Sequence, residues 1–241
     1  MSVYFERLQK EFELVYSIAQ EARKTNNDPS PNVEIIPAED VAARVEGIVG
    51  PPGIAGEIRL LEAQKSREFV AVDIVKSILD GRYGKGDKQA LIDQAVRTGV
   101  AILTEGVLVA PTEGIARIKI NKNQDGSEYL SVYFAGPIRS AGGTVAALSV
   151  VLADIARLHM GVSAYRPTET TVERYVEEVY LYDARGARLQ YKPTEDEIRQ
   201  IVKNCPVCVD GDPTEEFEVS VYKEVPGVET TRVRGGMALV I

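Results

Sequence analysis

The chain has 241 residues, 44% of them hydrophobic, and a formal net charge of −8 at pH 7. That length and apolar content suffice for one or two folded domains, and no apolar run approaches the roughly 20 residues needed to cross a bilayer. The acidic balance excludes a broadly basic surface, so any nucleic-acid contact has to be local or completed by other domains.

The opening Met1-Ser2-Val3-Tyr4-Phe5-Glu6 lacks the basic and apolar regions of a signal peptide, which implies a cytoplasmic location with no membrane association. From Ser2 to about Arg23, Phe5, Leu8, Phe12, Val15, Ala19 and Ala22 recur at spacings of three and four, predicting an amphipathic helix. Such a stripe packs on its own domain or docks on a partner. Asn26-Asn27-Asp28-Pro29-Ser30-Pro31 then breaks the helix.

Residues 37 to 105 predict four helices: Pro37 to Ile48, Ala55 to Gln64, Glu68 to Leu79 and Lys88 to Leu103. Gly50-Pro51-Pro52-Gly53 and the glycines between 81 and 86 separate them. Residues 1–105 are thus a mainly helical region, and residues 106–241 an α+β region with glycine-rich turns. In the second region Gly114 to Ile120 and Tyr129 to Phe134 alternate with period two around Asn123-Gln124-Asp125-Gly126, predicting a β-hairpin.

The hairpin runs into Ala135-Gly136-Pro137-Ile138-Arg139-Ser140-Ala141-Gly142-Gly143-Thr144 and then a central apolar helix from about Gly143 to Met160. Glycines at a helix start let backbone approach a ligand, and the first amides of the helix have no intrahelical acceptor. Arg139 adds a planar fork suited to phosphate. The same pattern fits a tight strand-to-helix connection in which Arg139 pairs with a carboxylate. Neither GxGxxG nor GxxxxGK[ST] occurs.

Tyr165-Arg166-Pro167-Thr168-Glu169 and Tyr191-Lys192-Pro193-Thr194-Glu195 form a short repeat 26 residues apart. Thr168 and Thr194 are the expected N-caps, with Glu197 completing a capping box. Between the copies, Val179 to Tyr182 and Arg188 to Tyr191 are expected as paired strands, and Glu216 to Tyr222 and Met237 to Ile241 as further strands. The acidic residues between Glu169 and Glu178 read as a helical surface face. Arg232-Val233-Arg234-Gly235-Gly236 is a second basic glycine turn.

The two cysteines, Cys205 and Cys208, supply two ligands where structural zinc needs four, with His159 the sole other thiol or imidazole donor. Free, buried or partly buried thiols are the expectation. His159 suits the negative end of its helix dipole.

Four blocks in one order carry a resemblance: Tyr133 to Thr144, Leu189-Gln190-Tyr191-Lys192-Pro193, Ile201 to Val207, and Arg232 to Val240. Together with the opening helix they resemble the large subunit of the archaeal family D DNA polymerase (DNA polymerase II), across essentially the whole chain. The resemblance implies an amino-terminal fragment of a much longer subunit, in keeping with a chain that stops in an apolar run. It implies a heterodimer with a small subunit that carries 3′-to-5′ exonuclease activity, primer-template DNA as partner, and magnesium in the intact enzyme. The catalytic centres implied lie outside this chain, so no catalytic or metal residue is expected here.

The candidate DNA- or phosphate-binding residues are Arg139, Ser140, Gly142, Gly143, Lys192, Arg232 and Arg234, in a sequence-independent grip. The alternative is a pure assembly module with no direct DNA contact, binding the small subunit or another copy of itself. An independent phosphate-handling enzyme is disfavoured, because no general base or metal cluster accompanies the glycine turn.

Overall fold

The computed structural model describes residues 2–27, 38–107 and 109–241, which fall into two units, Met1–Ala38 and Glu39–Ile241. The first is one helix, α1 (Ser2–Lys24), ending at Asn26 with φ 57°. Its Val3, Phe5, Leu8, Leu14, Val15 and Ile18 are exposed. The rest of the predicted break, from Asp28 to Pro31, lies outside the described residues.

The second unit begins with four helices, α2 (Val41–Ile48), α3 (Ile54–Glu62), α4 (Arg67–Leu79) and α5 (Lys88–Leu103). The predicted order holds, apart from Pro37, which lies outside the described residues. Caps set their starts: Asp40 Oδ1 accepts from Ala43 N at 2.7 Å, and Asp87 accepts from the amides of Gln89 and Ala90. Glu46 accepts from Ala55 N at 2.7 Å, tying α2 to the first turn of α3. The same Asp40 receives both arms of Arg59 from α3, so one carboxylate caps one helix and anchors the next.

The predicted hairpin is present as β1 (Ile115–Lys122) and β2 (Glu128–Phe134), antiparallel with Ile118 opposite Val132, its turn closed by Gly126 at φ 83°. A third strand, β3 (Cys208–Gly211), adds parallel to β2 with Val209 beside Val132, giving the order β1-β2-β3. Between β2 and β3 run α6 (Ile138–Ala141), α7 (Gly143–His159), α8 (Glu169–Leu181) and α9 (Glu195–Asn204). The result is an α+β fold with a helical beginning and a small mixed sheet.

Helices α4, α5 and α7 and the sheet share one core, which includes Ile74, Val96, Leu130, Phe134, Leu152 and Ala156. The tightest approach is at Gly99: a Cβ there would lie 2.8 Å from Val75 Cγ2 and 2.9 Å from Leu152 Cδ1. Arg97 closes the start of β1 by donating to the carbonyls of Pro111 (2.6 Å) and Ile115 (2.8 Å). His159, at the last turn of α7, lies 2.8 Å from Asp80 Oδ1 beyond α4. No helix among the described residues is long and apolar enough to cross a membrane.

Four strand expectations are corrected. Val179 to Leu181 continue α8, because Val172, Tyr175, Val176 and Val179 recur at helical spacing and are all buried; Tyr182–Gly186 is a π-helical turn. Residues 188–191 form no strand. Glu216 to Tyr222 makes only a single bridge, Glu218 with Arg232, since the Glu177 carboxylate accepts the amides of Val221 (3.0 Å) and Tyr222 (2.9 Å) in a strand's place. Met237–Leu239 is a 3₁₀ turn, Met237 N donating back to Arg234 O. The sequence reading missed β3, whose Asp210 and Gly211 are poor strand formers held by β2.

Candidate functional site

The strand-to-helix corner forms where β2 ends. After Phe134 the chain makes the short α6, passes through Gly142 at φ 84°, which a side chain would strain, and enters α7 without a side-chain N-cap. Gly142, Gly143 and Thr144 are exposed, so the positive end of a 17-residue helix faces outward. Ser140 is exposed too, its Oγ donating to Pro137 O at 2.7 Å.

Arg139, on α6, lies over the Tyr182 ring at 5.0 Å, is within 3.3 Å of Thr214 Oγ1 and pairs with Glu215. Its side chain remains 36% exposed against 13% for Glu215. The carboxylate pairing that the sequence left open is therefore present, and the guanidinium still reaches solvent. Burial of the Tyr182 hydroxyl raises its pKa; Arg139 opposes that and Glu215 adds to it.

The two glycine turns meet. A Cβ on Gly235 would collide with Arg139, Glu215 and Tyr182, and one on Gly236 would come within 2.8 Å of Ala135 O. Gly235 N donates to Thr214 Oγ1 at 2.9 Å. Only bare backbone fits this crossing, which explains the glycine pair at 235 and 236; at Gly142 the positive φ, and not crowding, is what favours glycine.

Arg234 has the opposite character. It is wholly buried, its Nε 3.0 Å from both Glu178 oxygens, its Nη1 paired with Asp210, its guanidinium 4.9 Å from the Tyr175 ring centre. Burial disfavours its charge, but Glu178 and Asp210 more than offset that and hold it protonated, above the ordinary arginine range. Arg174, also wholly buried, completes the cluster by contacting Glu178 at 3.2 Å and the carbonyls of Tyr222 (2.6 Å) and Thr230 (2.8 Å). Two guanidiniums thus face two carboxylates in the core. Arg234 is withdrawn from the candidate phosphate contacts, because its charge is neutralised internally and no face of it meets solvent. Arg174 and Glu178 are likewise not on a surface face.

Lys192 is half exposed, 2.9 Å from Asp183 Oδ2 and 4.6 Å from the Tyr180 ring centre. It stands beside the same end of α8 that supplies Tyr182 to Arg139. Arg232 is exposed, its amide held by Thr230 Oγ1 at 3.0 Å and its carbonyl accepting from Arg174, and it forms no ion pair among the described residues. The structure therefore brings together Arg139, Ser140, Gly142 and Gly143, sets Lys192 at the neighbouring helix end, leaves Arg232 exposed and buries Arg234.

Thr214, Glu215 and Tyr182 shape the corner without having been expected there. The i,i+4 spacing of Arg174 and Glu178 was the one sequence signal for the buried cluster, and it reads equally as a surface pair. Among the described residues no group of three or more His, Cys, Asp or Glu side chains is placed to hold a metal. Both cysteines are free; burial pushes the Cys208 thiol up to about 12 and raises Cys205 as well, making them inert packing groups.

Residues 3–241 match the protein family described as "DNA polymerase II large subunit DP2, N-terminal". The DNA polymerase II large subunit of Methanosarcina barkeri is 48% identical over 242 residues, covering 100% of this chain and 21% of the relative. That of Methanocella arvoryzae is 52% identical over 99% of this chain and 21% of the relative. That of Pyrococcus horikoshii is 49% identical over 100% of this chain and 17% of the relative. The chain thus spans about a fifth of the length of these relatives.

Proposed function

The chain belongs to the family of DNA polymerase II large subunits, in its amino-terminal part, and from that premise we propose that it serves a heterodimeric replicative DNA polymerase by holding primer-template DNA and supporting subunit assembly. The observation that carries the reading is continuous similarity, 48% identity over 100% of the chain, to proteins named for that activity. The intact enzyme would be a DNA-directed DNA polymerase with a small exonuclease subunit as partner; this chain by itself would be inactive.

The magnesium that such an enzyme would use does not fit the described residues, among which no three carboxylate, imidazole or thiol donors are grouped to hold it. Glu178 and Asp210 are consumed by Arg234, and Glu215 by Arg139. No step of nucleotide addition is therefore derived for this chain.

What the chain can contribute is positive potential with no base readout. The open start of α7, the half-exposed Arg139, Ser140 and, at the next helix end, Lys192 offer amides, a hydroxyl and cations to a sugar-phosphate backbone. Arg232 is a further exposed cation for the same role.

A second reading is favoured by α1, whose Phe5, Leu8 and Val15 are exposed along one helix. Such a face suits assembly, with the small subunit or with a second copy. One experiment separates the readings: a photo-crosslinking residue at Ser140 in the intact polymerase on primer-template DNA. Crosslinks to DNA support the phosphate role, crosslinks to the small subunit alone support pure assembly, and neither product refutes a role for this corner.

A further inference from the structure

We propose that the loop from Tyr182 to Pro193, between α8 and α9, binds an unpaired DNA strand, with Arg185, Arg188 and Lys192 on its phosphates and Tyr191 stacked on a base. The inference rests on the reading that this chain handles DNA, and it adds residues which that reading does not use.

The first observation is charge left over. Most cations of the second unit are spoken for: Arg59 by Asp40, Arg117 by Asp212, Arg157 by Asp154 and Arg199 by Glu173. Arg185 and Arg188 are exposed, three residues apart, and neither forms a salt bridge among the described residues. Between positions 183 and 192 three cations face one carboxylate, in a chain whose net charge is −8. This is a local reversal of sign.

The second observation is a fixed frame. Asp183 Oδ1 accepts from Leu189 N at 3.0 Å while Oδ2 pairs with Lys192, so one carboxylate cinches the loop. The entry is a π-helical turn with Ala187 N donating to Tyr182 O at 3.1 Å, and the exit is the Thr194–Glu197 capping box. Both arginines therefore project from backbone that is already ordered, which lowers the entropy lost on binding.

The third is an aromatic face. Tyr191 is 68% exposed, and its hydroxyl donates to Glu197 Oε1 at 2.9 Å. A tethered ring with bare faces beside cations is the arrangement that stacks an unpaired base next to its phosphates. A duplex keeps its bases stacked on one another and has none to offer. An acidic peptide would satisfy the arginines but leaves the ring faces unexplained.

The loop also continues the corner described above. Tyr182, at its start, is the ring beneath Arg139, and a Cβ on Gly186 would lie 2.9 Å from Tyr182 and 3.5 Å from Glu215. A strand leaving Arg139 would thus meet this loop next.

The test is fluorescence anisotropy of the 241-residue chain with a labelled oligothymidylate, with a duplex of equal length, and with polyglutamate as competitor. Arg185→Ala/Arg188→Ala is expected to weaken oligothymidylate binding about tenfold and to flatten its log–log salt slope by about 1.4, at ~0.7 per phosphate on a single strand. Tyr191→Ala is expected to weaken it at least about fivefold, with Tyr191→Phe close to wild type. All three substituted positions are exposed, and unchanged thermal melting confirms the fold. Equal losses on duplex and single strand would overturn the base-stacking assignment, and strong competition by polyglutamate would assign the loop to an acidic protein instead. Unchanged binding in these variants, with Arg139→Ala impaired, would remove the loop alone. A wild-type chain that bound neither DNA would remove the loop as a binding site of its own, while the crosslink at Ser140 in the intact polymerase decides the reading beneath it separately.

Discussion

Replacing Arg234 by alanine tests whether it is a structural arginine or a contact to DNA. The side chain is wholly buried and satisfies Glu178 and Asp210 together, so truncation leaves two carboxylates in the core with Arg174 as the one remaining cation of the cluster, and of the two carboxylates Arg174 contacts Glu178 and not Asp210. Breaking a buried pair in this way costs roughly 3–5 kcal/mol, because the stranded charge has lost its water and its partner. Against a total domain stability of about 5–15 kcal/mol, that is a large fraction. With a urea m-value near 2.5 kcal/mol/M, the midpoint should fall by about 1.5 M. Lysine should not rescue it, since one ammonium cannot span the bidentate contact to Glu178 and the separate contact to Asp210. Arg139→Ala is the internal control: its pair with Glu215 is over a third exposed on the arginine side and screened by solvent, so its loss should cost under about 1 kcal/mol. Urea unfolding followed by circular dichroism reads all three variants. An Arg234→Ala chain as stable as wild type, with DNA affinity reduced, would refute the burial argument and restore Arg234 to the interface.

Gly99→Ala should destabilise by about 1–3 kcal/mol, because the new methyl meets Val75 and Leu152 where α4, α5 and α7 converge; a thermal melt within 1 °C of wild type would contradict that packing. Burial raises the Glu177 carboxyl, but the amides of Tyr222, Ser220 and Val221 lower it further, leaving it below its ordinary value. Its contribution to stability is thus present above the unfolded carboxyl pKa of about 4.3 and is lost as pH falls through the lower folded value, so the amide shifts of residues 220–222 should move only in that acid range. Glu215→Gln removes the charge held against Arg139 and should tighten primer-template binding several-fold at low salt; weaker binding would mean that Glu215 positions Arg139 and does not compete for it.

Much of this fold is written in local pattern. The stripes of α4 and α5, the hairpin turn at Gly126 and the Thr194–Glu197 capping box follow from spacing and from chemistry within a few residues. What escaped sequence reading depends on residues far apart in the chain. The Cys208–Gly211 strand is short and half made of the poor strand formers Asp210 and Gly211, and it exists because β2 offers it an edge. The Val179-Tyr180-Leu181 run alternates well enough to suggest a strand, yet its helical neighbours on α8 decide the outcome. The two arginines of the candidate site show the same limit: Arg139 and Arg234 both belong to glycine-rich turns, and only Glu178 and Asp210, 56 and 24 residues from Arg234, separate a buried staple from an accessible cation. Arg185 and Arg188 were overlooked because an exposed arginine in a polar loop looks ordinary until its neighbours prove to be paired elsewhere.

The account turns on whether the half-exposed Arg139, at the open start of α7, grips a DNA phosphate. The direct measurement is primer-template affinity of the intact polymerase, wild type against Arg139→Ala, across a series of salt concentrations. One lost phosphate contact should weaken binding and reduce the log–log salt slope by about 0.9 with the fold intact. Identical affinity and slope in a folded variant would place the DNA elsewhere and leave this corner a structural joint.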